Sequence, residues 1–490
     1  MRFDIDKELN VSIYYQLYNQ IRNKIFSGEI LKNDQLPSER KLAKQLSVNR
    51  STIVSAYDLL KSDGLIKTIK GKGTFVTFNV EGETQSDTTI TYYDWETCFE
   101  ENMKTRYDEV IRLIMDGSNR SGKCFLAGGL PSPSLIPANE LQNIFQQLAV
   151  NKRIDPLSHC PVQGTHELRV QIKQLMLKRG VTANINEQLI TSGSQQALDL
   201  VIRSFIKEGD VVIVEEPTFF GALQLFQHVG AKVITVPMDR YGIKTDVLEY
   251  LIKTHHPKII YTIPNFHNPT GVVMSHERRR KLIELSNLYH VPIIEDDPYG
   301  EIMFDELDLR PLKSMDKSNY IIYLSTFSKT ISLGLRIGWI VASEEVINCL
   351  KKIKQISDLH VNTLNQYVMS EYLASNRYNE HLKVIRSVYM KKRDLMVQQL
   401  NEHFDSISFD IPSGGFYLWV NFYRNFNLKE MFDNCFREGV VITPGYHFMP
   451  GGKDYEPQIR LNFTYPSEEE IIEGIKRLSK CYKMIQEEGE

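Results

Sequence analysis

A lysine next to several small hydroxyl side chains is the most reactive feature of this sequence. Lys329 lies at the end of an apolar run, and Ser325, Thr326 and Ser328 lie within four residues of it. Arg336 follows seven residues later between two glycines. Hydroxyls and a guanidinium bind phosphate well, and a lysine amine can attack a carbonyl group. The segment predicts a covalent anchor beside an anion site, although taken alone it fits a surface lysine in a serine-rich loop equally well.

Four other apolar runs of strand length also end on polar or aromatic side chains. Parallel strands of an open α/β sheet present their carboxyl ends at one edge, where such sheets bind ligands. The five run ends therefore predict one shared ligand site. The residues that follow the four other runs are Ser194 and Gln195, Phe219, Asn268, and Asp296 with Tyr299.

A lysine amine beside a phosphate site is what pyridoxal 5'-phosphate (PLP) requires, because the amine forms an imine with the cofactor while the protein holds its phosphate. These residues resemble the fold type I PLP-dependent aminotransferases of the aspartate and kynurenine aminotransferase kind. The resemblance extends over roughly residues 92–490. It implies an α/β domain with a mostly parallel central sheet and a smaller C-terminal α/β part.

The resemblance also implies a role for each residue. Lys329 would form the imine, and Asp296 would pair with the pyridine nitrogen and keep it protonated. Asn268 and Tyr299 would bind the phenolic oxygen, and Phe219 would stack on the ring. The phosphate would be held by Ser194, Gln195, Thr326, Ser328 and Arg336.

An arginine near the C-terminus is the candidate for binding a substrate or effector. The alternating run from Gln458 to Thr464 places Arg460 on the opposite face from Ile459 and Leu461. In the resembled family this arginine clamps the α-carboxylate, with help from the turn at Gly129. An exposed strand arginine is the alternative.

Two positions depart from the family pattern. His159 stands where these enzymes usually have a tyrosine that reaches the phosphate bound by the partner subunit. Phe219 replaces the more usual tyrosine over the ring. An imidazole can still donate a hydrogen bond and a phenyl ring can still stack, so both changes are compatible with cofactor binding but make efficient catalysis doubtful.

The composition is that of an ordinary globular protein. The chain has 490 residues, of which 42% are hydrophobic and 24% charged, and this length predicts two or three domains. The start of the chain has no apolar signal segment, and 18 apolar residues never run together, so we expect a cytoplasmic protein with no membrane partner. Six scattered cysteines without a C-x-x-C pair argue against a disulfide framework and a metal site.

The charge is unevenly distributed along the chain. Residues 1–78 contain 13 Lys or Arg against 8 Asp or Glu, a net charge of +5 within a total of -3, which leaves -8 for the remainder. A basic N-terminal segment predicts a polyanionic partner.

This basic segment has the pattern of three short helices and a hairpin. Apolar residues recur at helical spacing after Ser12, after Ser38 and after Asn49, each of which can cap a helix. The alternating residues on either side of Gly71 predict a hairpin with a basic tip. Ser47 lies in the turn between the second and third helices, where glycine is usual.

The segment is a predicted winged helix-turn-helix, and it closely resembles the GntR family of bacterial regulators. The resemblance implies binding to double-stranded operator DNA. Arg50 is the better candidate for contacting a base edge, while hydroxyls and lysines would contact phosphates. The DNA-facing residues that it implies are Arg40, Asn49, Arg50, Ser51, Thr52, Lys70, Gly71 and Lys72.

The predicted organisation is a DNA-binding domain at 1–78, a polar linker at 79–91 and an aminotransferase-like domain at 92–490. Within the last, a large part would cover about 120–355, and a small part about 356–490 with the N-terminal arm.

The combination resembles the MocR subfamily of GntR-type regulators. It implies a homodimeric, PLP-dependent transcription regulator that senses an amino acid or amine, which would replace Lys329 on the cofactor. Two alternatives stay open: a working aminotransferase with an appended DNA-binding domain, and a regulator that senses PLP itself.

Overall fold

A computed structural model describes most of the chain, which divides into two compact units, Met1–Thr97 and Cys98–Glu490. The predicted linker and most of the predicted N-terminal arm lie outside the described residues. Those described are 3–6, 11–78, 95, 122–150, 155–305, 308–423, 426–451 and 457–488.

The first unit is a winged helix-turn-helix, as predicted. Its small antiparallel sheet has the strand order β1-β3-β2, and the hairpin of β2 and β3 forms the wing. Leu17, Ile21, Ile53 and Leu60 are fully buried between the helices. The elements are α1 (Ile13–Phe26), β1 (Gln35–Leu36), α2 (Glu39–Leu46), α3 (Arg50–Ser62), β2 (Ile66–Ile69) and β3 (Gly73–Val76).

The caps of these helices are mostly those that the sequence predicts. The Ser38 hydroxyl accepts a hydrogen bond from the Lys41 amide at 3.3 Å, and the Asn49 side chain accepts one from the Ser51 amide at 3.2 Å. Ser12 occupies the N-cap position of α1, but its hydroxyl makes no capping bond. Ser47 adopts a left-handed conformation with φ 53°, so the turn stores strain there that a glycine would not.

The second unit is built on a large mixed sheet of eight described strands in the order β5-β12-β11-β10-β9-β6-β7-β8. The strands are β5 (Gln188–Thr191), β6 (Val211–Glu216), β7 (Lys232–Asp239), β8 (Gly242–Ile243), β9 (Ile259–Thr262), β10 (Ile293–Asp296), β11 (Ile321–Thr326) and β12 (Gly338–Val341).

Four of the seven neighbouring pairs in this sheet are parallel. β12 is antiparallel to both β11 and β5, so β5 and β11 run in the same direction. The carboxyl ends of β5, β6, β9, β10 and β11 therefore meet at one edge of the sheet, and these are the five run ends that the sequence singled out.

Helices cover both faces of the sheet. Neighbouring residues of a strand point to opposite sides, so each strand presents apolar side chains to both layers of helices. Val212 and Ile294 belong to one apolar cluster, while Ile213 and Ile293 belong to another. The helices that precede or connect the strands are α4 (Ala138–Val150), α5 (His166–Lys178), α6 (Ser194–Phe205), α7 (Phe220–His228), α8 (Thr245–His255), α9 (His276–Tyr289) and α10 (Glu344–Ser357).

The C-terminal part adds a four-stranded antiparallel sheet in the order β13-β14-β17-β16. A short strand β4 (Cys124–Phe125) pairs in parallel with β15. None of the helices in the described ranges is both long enough and apolar enough to span a membrane. The remaining elements are α11 (Thr363–Ala374), α12 (Arg377–His403), β13 (Ile407–Ser408), β14 (Tyr417–Phe422), α13 (Leu428–Arg437), β15 (Val440–Val441), β16 (Thr443–Pro444), β17 (Gln458–Asn462) and α14 (Glu468–Glu488).

Candidate functional site

A cavity of about 320 Å³ lies at the edge where the five carboxyl ends meet. Of the predicted cofactor and effector residues, all except His159 line it. These are Gly129, Ser194, Gln195, Phe219, Asn268, Asp296, Tyr299, Thr326, Ser328, Lys329, Arg336 and Arg460.

The Lys329 amine lines the cavity and has a lowered pKa. Its Nζ donates a hydrogen bond to the Gly129 carbonyl oxygen at 2.6 Å. Burial lowers the pKa of Lys329 to about 8, and the positive charges of Arg460 and Arg336 add to this effect, while Asp296 opposes it. The lower pKa leaves more of the amine neutral near neutral pH, and the neutral amine is the nucleophile.

Asp296 has one satisfied and one unsatisfied carboxylate oxygen. Tyr261 donates a hydrogen bond from its hydroxyl to Oδ2 at 2.8 Å, whereas Oδ1 is buried and has no partner among the described residues. Burial raises the pKa of Asp296 to about 7, opposed by the Tyr261 bond and by Lys329. A buried oxygen without a donor costs free energy, so this one fits a ligand that brings a proton, such as a protonated ring nitrogen.

The residues predicted to hold the phosphate lie near the start of α6. Gly193 precedes the helix with φ 82°, and a Cβ placed there would lie 2.7 Å from Nη2 of Arg336. That Nη2 donates to the Ser192 carbonyl oxygen at 2.8 Å, which holds the guanidinium against the loop. The Thr326 hydroxyl lies 3.0 Å from that of Ser328. A helix N-terminus, hydroxyls and a guanidinium are groups that bind phosphate in proteins.

Arg460 is buried, with 2% of its surface exposed, so the alternative of an exposed strand arginine is wrong. It donates from Nη1 to Asn268 Oδ1 at 2.9 Å and from Nη2 to the Ala127 carbonyl oxygen at 2.6 Å. Its Nε is buried and has no hydrogen-bond partner in the part of the chain that the structure describes. The rings of Tyr417 and Phe448 lie 4.3 and 4.8 Å from the guanidinium carbon. An unpaired Nε on a buried cation leaves a donor for a carboxylate.

The structure adds two tyrosines that the sequence did not single out. Tyr417 lines the cavity, and its hydroxyl lies 2.8 Å from the Tyr299 hydroxyl. A Cβ on Gly129 would lie 2.2 Å from that oxygen, so the phenol occupies the space that a side chain would need. Tyr261 reaches Asp296 from the neighbouring strand. Both lie in buried strands whose apolar pattern indicates core, and no local signal distinguishes them.

Two residues lie apart from the cavity. His159 is exposed, and its ring packs edge-on against His360 at 4.8 Å between centroids. Its predicted role, in contact with the phosphate bound by a partner subunit, stays a prediction. The Ser325 hydroxyl donates to the Asp297 carbonyl oxygen at 2.8 Å and does not line the cavity.

In the first unit, the predicted DNA-binding residues lie around α2, α3 and the wing. Arg50, 55% exposed, donates from Nε and Nη2 to Glu39 Oε2 at 3.2 and 2.9 Å. Asn49 caps α3, and Thr52 is half-buried. The others are exposed: Arg40, Ser51, Lys70, Gly71 and Lys72.

Known proteins match both parts of the chain. Residues 143–478 match the family Aminotransferase class I and II, and residues 13–76 match Bacterial regulatory proteins, gntR family. The HTH-type transcriptional regulator YisV of Bacillus subtilis is 34% identical over 480 residues, 98% of each chain. The HTH-type transcriptional regulator NorG of Staphylococcus aureus is 30% identical over 92% of this chain and its own full length.

Solved structures match the second part. The kynurenine aminotransferase of Pyrococcus horikoshii has a TM-score of 0.76 and 35% identity, and the match covers 80% of this chain and 98% of that chain. LysN, an α-aminoadipate aminotransferase of Thermus thermophilus, has a TM-score of 0.75 and 32% identity over 81% of this chain and all of its own. The protein belongs to the MocR subfamily of GntR-type transcription regulators, with an N-terminal helix-turn-helix domain and a fold type I aminotransferase domain.

Proposed function

We propose that this regulator holds PLP at Lys329, binds operator DNA through its winged helix, and responds to an amino compound that enters the cofactor cavity. One observation carries the proposal. Three features line the same cavity: the Lys329 amine with its lowered pKa, the Asp296 Oδ1 that has no partner among the described residues, and the anion-binding groups at the start of α6. Together they match the aldehyde, the ring nitrogen and the phosphate of PLP.

Each residue of the cavity would contribute one interaction. Asp296 would accept a hydrogen bond from the ring nitrogen, and Asn268 and Tyr299 would hold the phenolic oxygen. Phe219 would cover the ring. When bound, PLP supplies a carbonyl carbon that can exchange one amine for another. Arg460 would bind the carboxylate of an effector whose amine replaces Lys329.

The solved neighbours support this assignment. The Pyrococcus horikoshii structure is a complex with PMP, KYN and KYA, and that of LysN is a complex with N-(5'-phosphopyridoxyl)-L-leucine. Both proteins therefore bind pyridoxal-type compounds in the fold that this chain shares at 32 to 35% identity.

We further propose that the regulator acts as a homodimer, with His159 completing the phosphate site of the partner. A dimer of helix-turn-helix domains would bind two half-sites separated by whole turns of DNA. The effector would change DNA binding by preferring one of two conformations of the protein, since a ligand that binds both equally shifts nothing.

The cofactor assignment is tested by trapping. The purified protein incubated with PLP should turn yellow as the cofactor forms an imine with a lysine. Borohydride should fix the cofactor to the peptide that contains Lys329. Lys329→Ala should lose the adduct, and the control Lys352→Ala, an exposed residue of α10, should keep it. Wild-type protein that takes up no PLP would refute the assignment.

A second function is favoured by one relative, the aromatic-amino-acid aminotransferase 1 of Thermococcus litoralis, which is 35% identical over 80% of this chain. Transamination needs Lys329 to move a proton at the substrate Cα, and it needs the keto product to leave. Keto acid formed at about 1 per second or faster, with DNA affinity indifferent to the amino acid, would favour an aminotransferase over a sensor.

A further inference from the structure

The charged side chains around the cavity set a limit on the effector. Among the described residues that line it, four carry a formal charge: Asp296, Lys329, Arg336 and Arg460. In the proposed function the first three serve the ring nitrogen, the imine and the phosphate. Arg460 is then the remaining cation among these described residues, and their single carboxylate, that of Asp296, already has a role.

Arg460 can serve one carboxylate. Nη1 donates to Asn268 Oδ1, Nη2 donates to the Ala127 carbonyl oxygen and to Thr443 Oγ1, and Nε makes no hydrogen bond within the described part of the chain. Tyr417 and Phe448 lie against the guanidinium. These contacts hold the guanidinium in one orientation, so its remaining N–H groups can serve one carboxylate, and a second anionic group elsewhere on the ligand would lie out of its reach.

The wall that remains after the cofactor contacts is apolar. It consists of the half-buried side chains of Leu130, Phe220 and Leu333, the buried Ile263 and Pro298, and the ring of Tyr417. The Tyr417 hydroxyl is already hydrogen-bonded to that of Tyr299. A charged or amide group placed against this wall would lose its water and find only the neutral Tyr417 hydroxyl as a partner, whereas an alkyl or aromatic group would gain from burial.

We infer that the effector is an α-amino acid with one carboxylate and an apolar side chain, bound by Arg460 at its carboxylate and by Leu130, Phe220 and Leu333 at its side chain. This inference rests on the proposed function, because it takes the imine and the phosphate site as occupied by PLP. It excludes dicarboxylic and dibasic amino acids from tight binding, because the described wall offers no oppositely charged partner for the second charge.

The test uses three amino acids of nearly equal shape and rising polarity. L-leucine, L-asparagine and L-aspartate are titrated separately into the full-length protein loaded with PLP, and the absorption spectrum of the cofactor is followed. We expect leucine to bind more tightly than aspartate by about tenfold or more, with asparagine between them, because only the side-chain polarity differs.

A change in the wall should reverse this order. Leu333→Arg places a cation on the wall and should favour aspartate over leucine. The matched control is Leu288→Arg, at an exposed leucine of α9 outside the cavity, which should leave the order unchanged. Retention of the PLP spectrum shows that each variant is folded, and the wild-type series tests the inference independently of both.

The outcomes separate the inference from the function on which it rests. Aspartate bound as tightly as leucine by the wild-type protein would overturn the inference and leave the sensor proposal standing. A PLP-loaded protein whose spectrum responds to none of these amino acids, nor to L-phenylalanine or L-lysine, would overturn the proposed sensing of amino acids itself.

Discussion

At the scale of single residues, the hydrogen bond from Tyr261 decides how Asp296 can meet a ligand. It satisfies one carboxylate oxygen and leaves the other free. It also opposes the effect of burial, which raises the pKa of Asp296 to about 7. Tyr261→Phe should raise that pKa further, leave less carboxylate at pH 7 and weaken PLP binding by about tenfold, the value of one hydrogen bond to a charged group. Titration of the PLP-free protein with PLP measures this.

The chain offers a matched control for this variant. Tyr323 is equally buried, lies on the adjoining strand β11, and donates to Asp297 Oδ2 at 3.1 Å. Asp297 does not line the cavity. Tyr323→Phe should therefore leave PLP affinity unchanged. An equal loss in both variants would mean that the phenols act only through the packing of the sheet.

The charge of Arg460 should be visible in the pH dependence of PLP uptake. Burial is the largest cause that lowers the pKa of Lys329 to about 8, and the Arg460 charge is the next. Since the neutral amine reacts, uptake should become faster as pH rises and level off above about 8. Arg460→Ala removes a positive neighbour, so the pKa of Lys329 rises and the midpoint moves to higher pH. A stopped-flow pH profile measures it, and a midpoint that stays in place or falls would contradict the assignment.

At the scale of elements, the turn between α2 and α3 carries strain that can be removed. Ser47 has φ 53° and ψ 46°, a conformation that costs a non-glycine residue about 1 to 2 kcal/mol. Ser47→Gly should stabilise the first unit by roughly 0.5 to 1 kcal/mol, because part of the gain is offset by the greater freedom of glycine when unfolded. Urea unfolding followed by circular dichroism measures the change.

The same substitution at a second serine should change the stability of the first unit in the opposite direction. Ser55 is exposed in the middle of α3, where the backbone is right-handed. Ser55→Gly should destabilise the unit by roughly 0.5 kcal/mol, because glycine loses more freedom in a helix. Equal effects of the two substitutions would show that the conformation of the turn is not what matters.

The first turn of α3 and the wing should contribute differently to DNA binding. Nε and Nη2 of Arg50 donate to Glu39, so Nη1 is the guanidinium nitrogen left to contact a base edge. Arg50→Ala should cost about 1 to 3 kcal/mol and relax base preference at one position. Lys72→Ala should weaken binding to all sequences alike and reduce the salt slope by about one unit. Binding measured over a salt series on specific and random duplexes distinguishes them, and identical behaviour of the two variants would refute the division.

At the scale of the whole molecule, a sensor must obey thermodynamic linkage. If the amino acid changes operator affinity by some factor, operator DNA must change amino acid affinity by the same factor. Spectral titration of the PLP-loaded protein with leucine, with and without saturating operator duplex, measures the second factor. Equal factors are expected, and a scrambled duplex is the control. If neither affinity changed when the other ligand was added, the cavity and the DNA-binding domain would act independently.

Periodicity and the residues at the ends of apolar runs predicted the architecture well. Five strand ends meet at one edge of the sheet because every run is apolar enough to be buried on both faces, which is typical of a sheet covered by helices. The helices of the first unit follow from apolar spacing and from capping residues such as Asn49. These are local signals, so the sequence carries them without knowledge of distant contacts.

Interactions between distant residues were decided by the tertiary structure alone. Arg460 is hydrogen-bonded to Asn268, 192 positions away in the sequence, and Tyr417 to Tyr299, 118 positions away. The alternating pattern around Arg460 could not show that both faces of its strand are buried, and Tyr261 and Tyr417 look like core residues in their own segments. A pattern along the chain records whether a side chain is buried, whereas its partner depends on how separate strands pack together. The sequence therefore determined which elements form and where a site would lie, and the packing of those elements decided which atoms are left unpaired to bind a ligand.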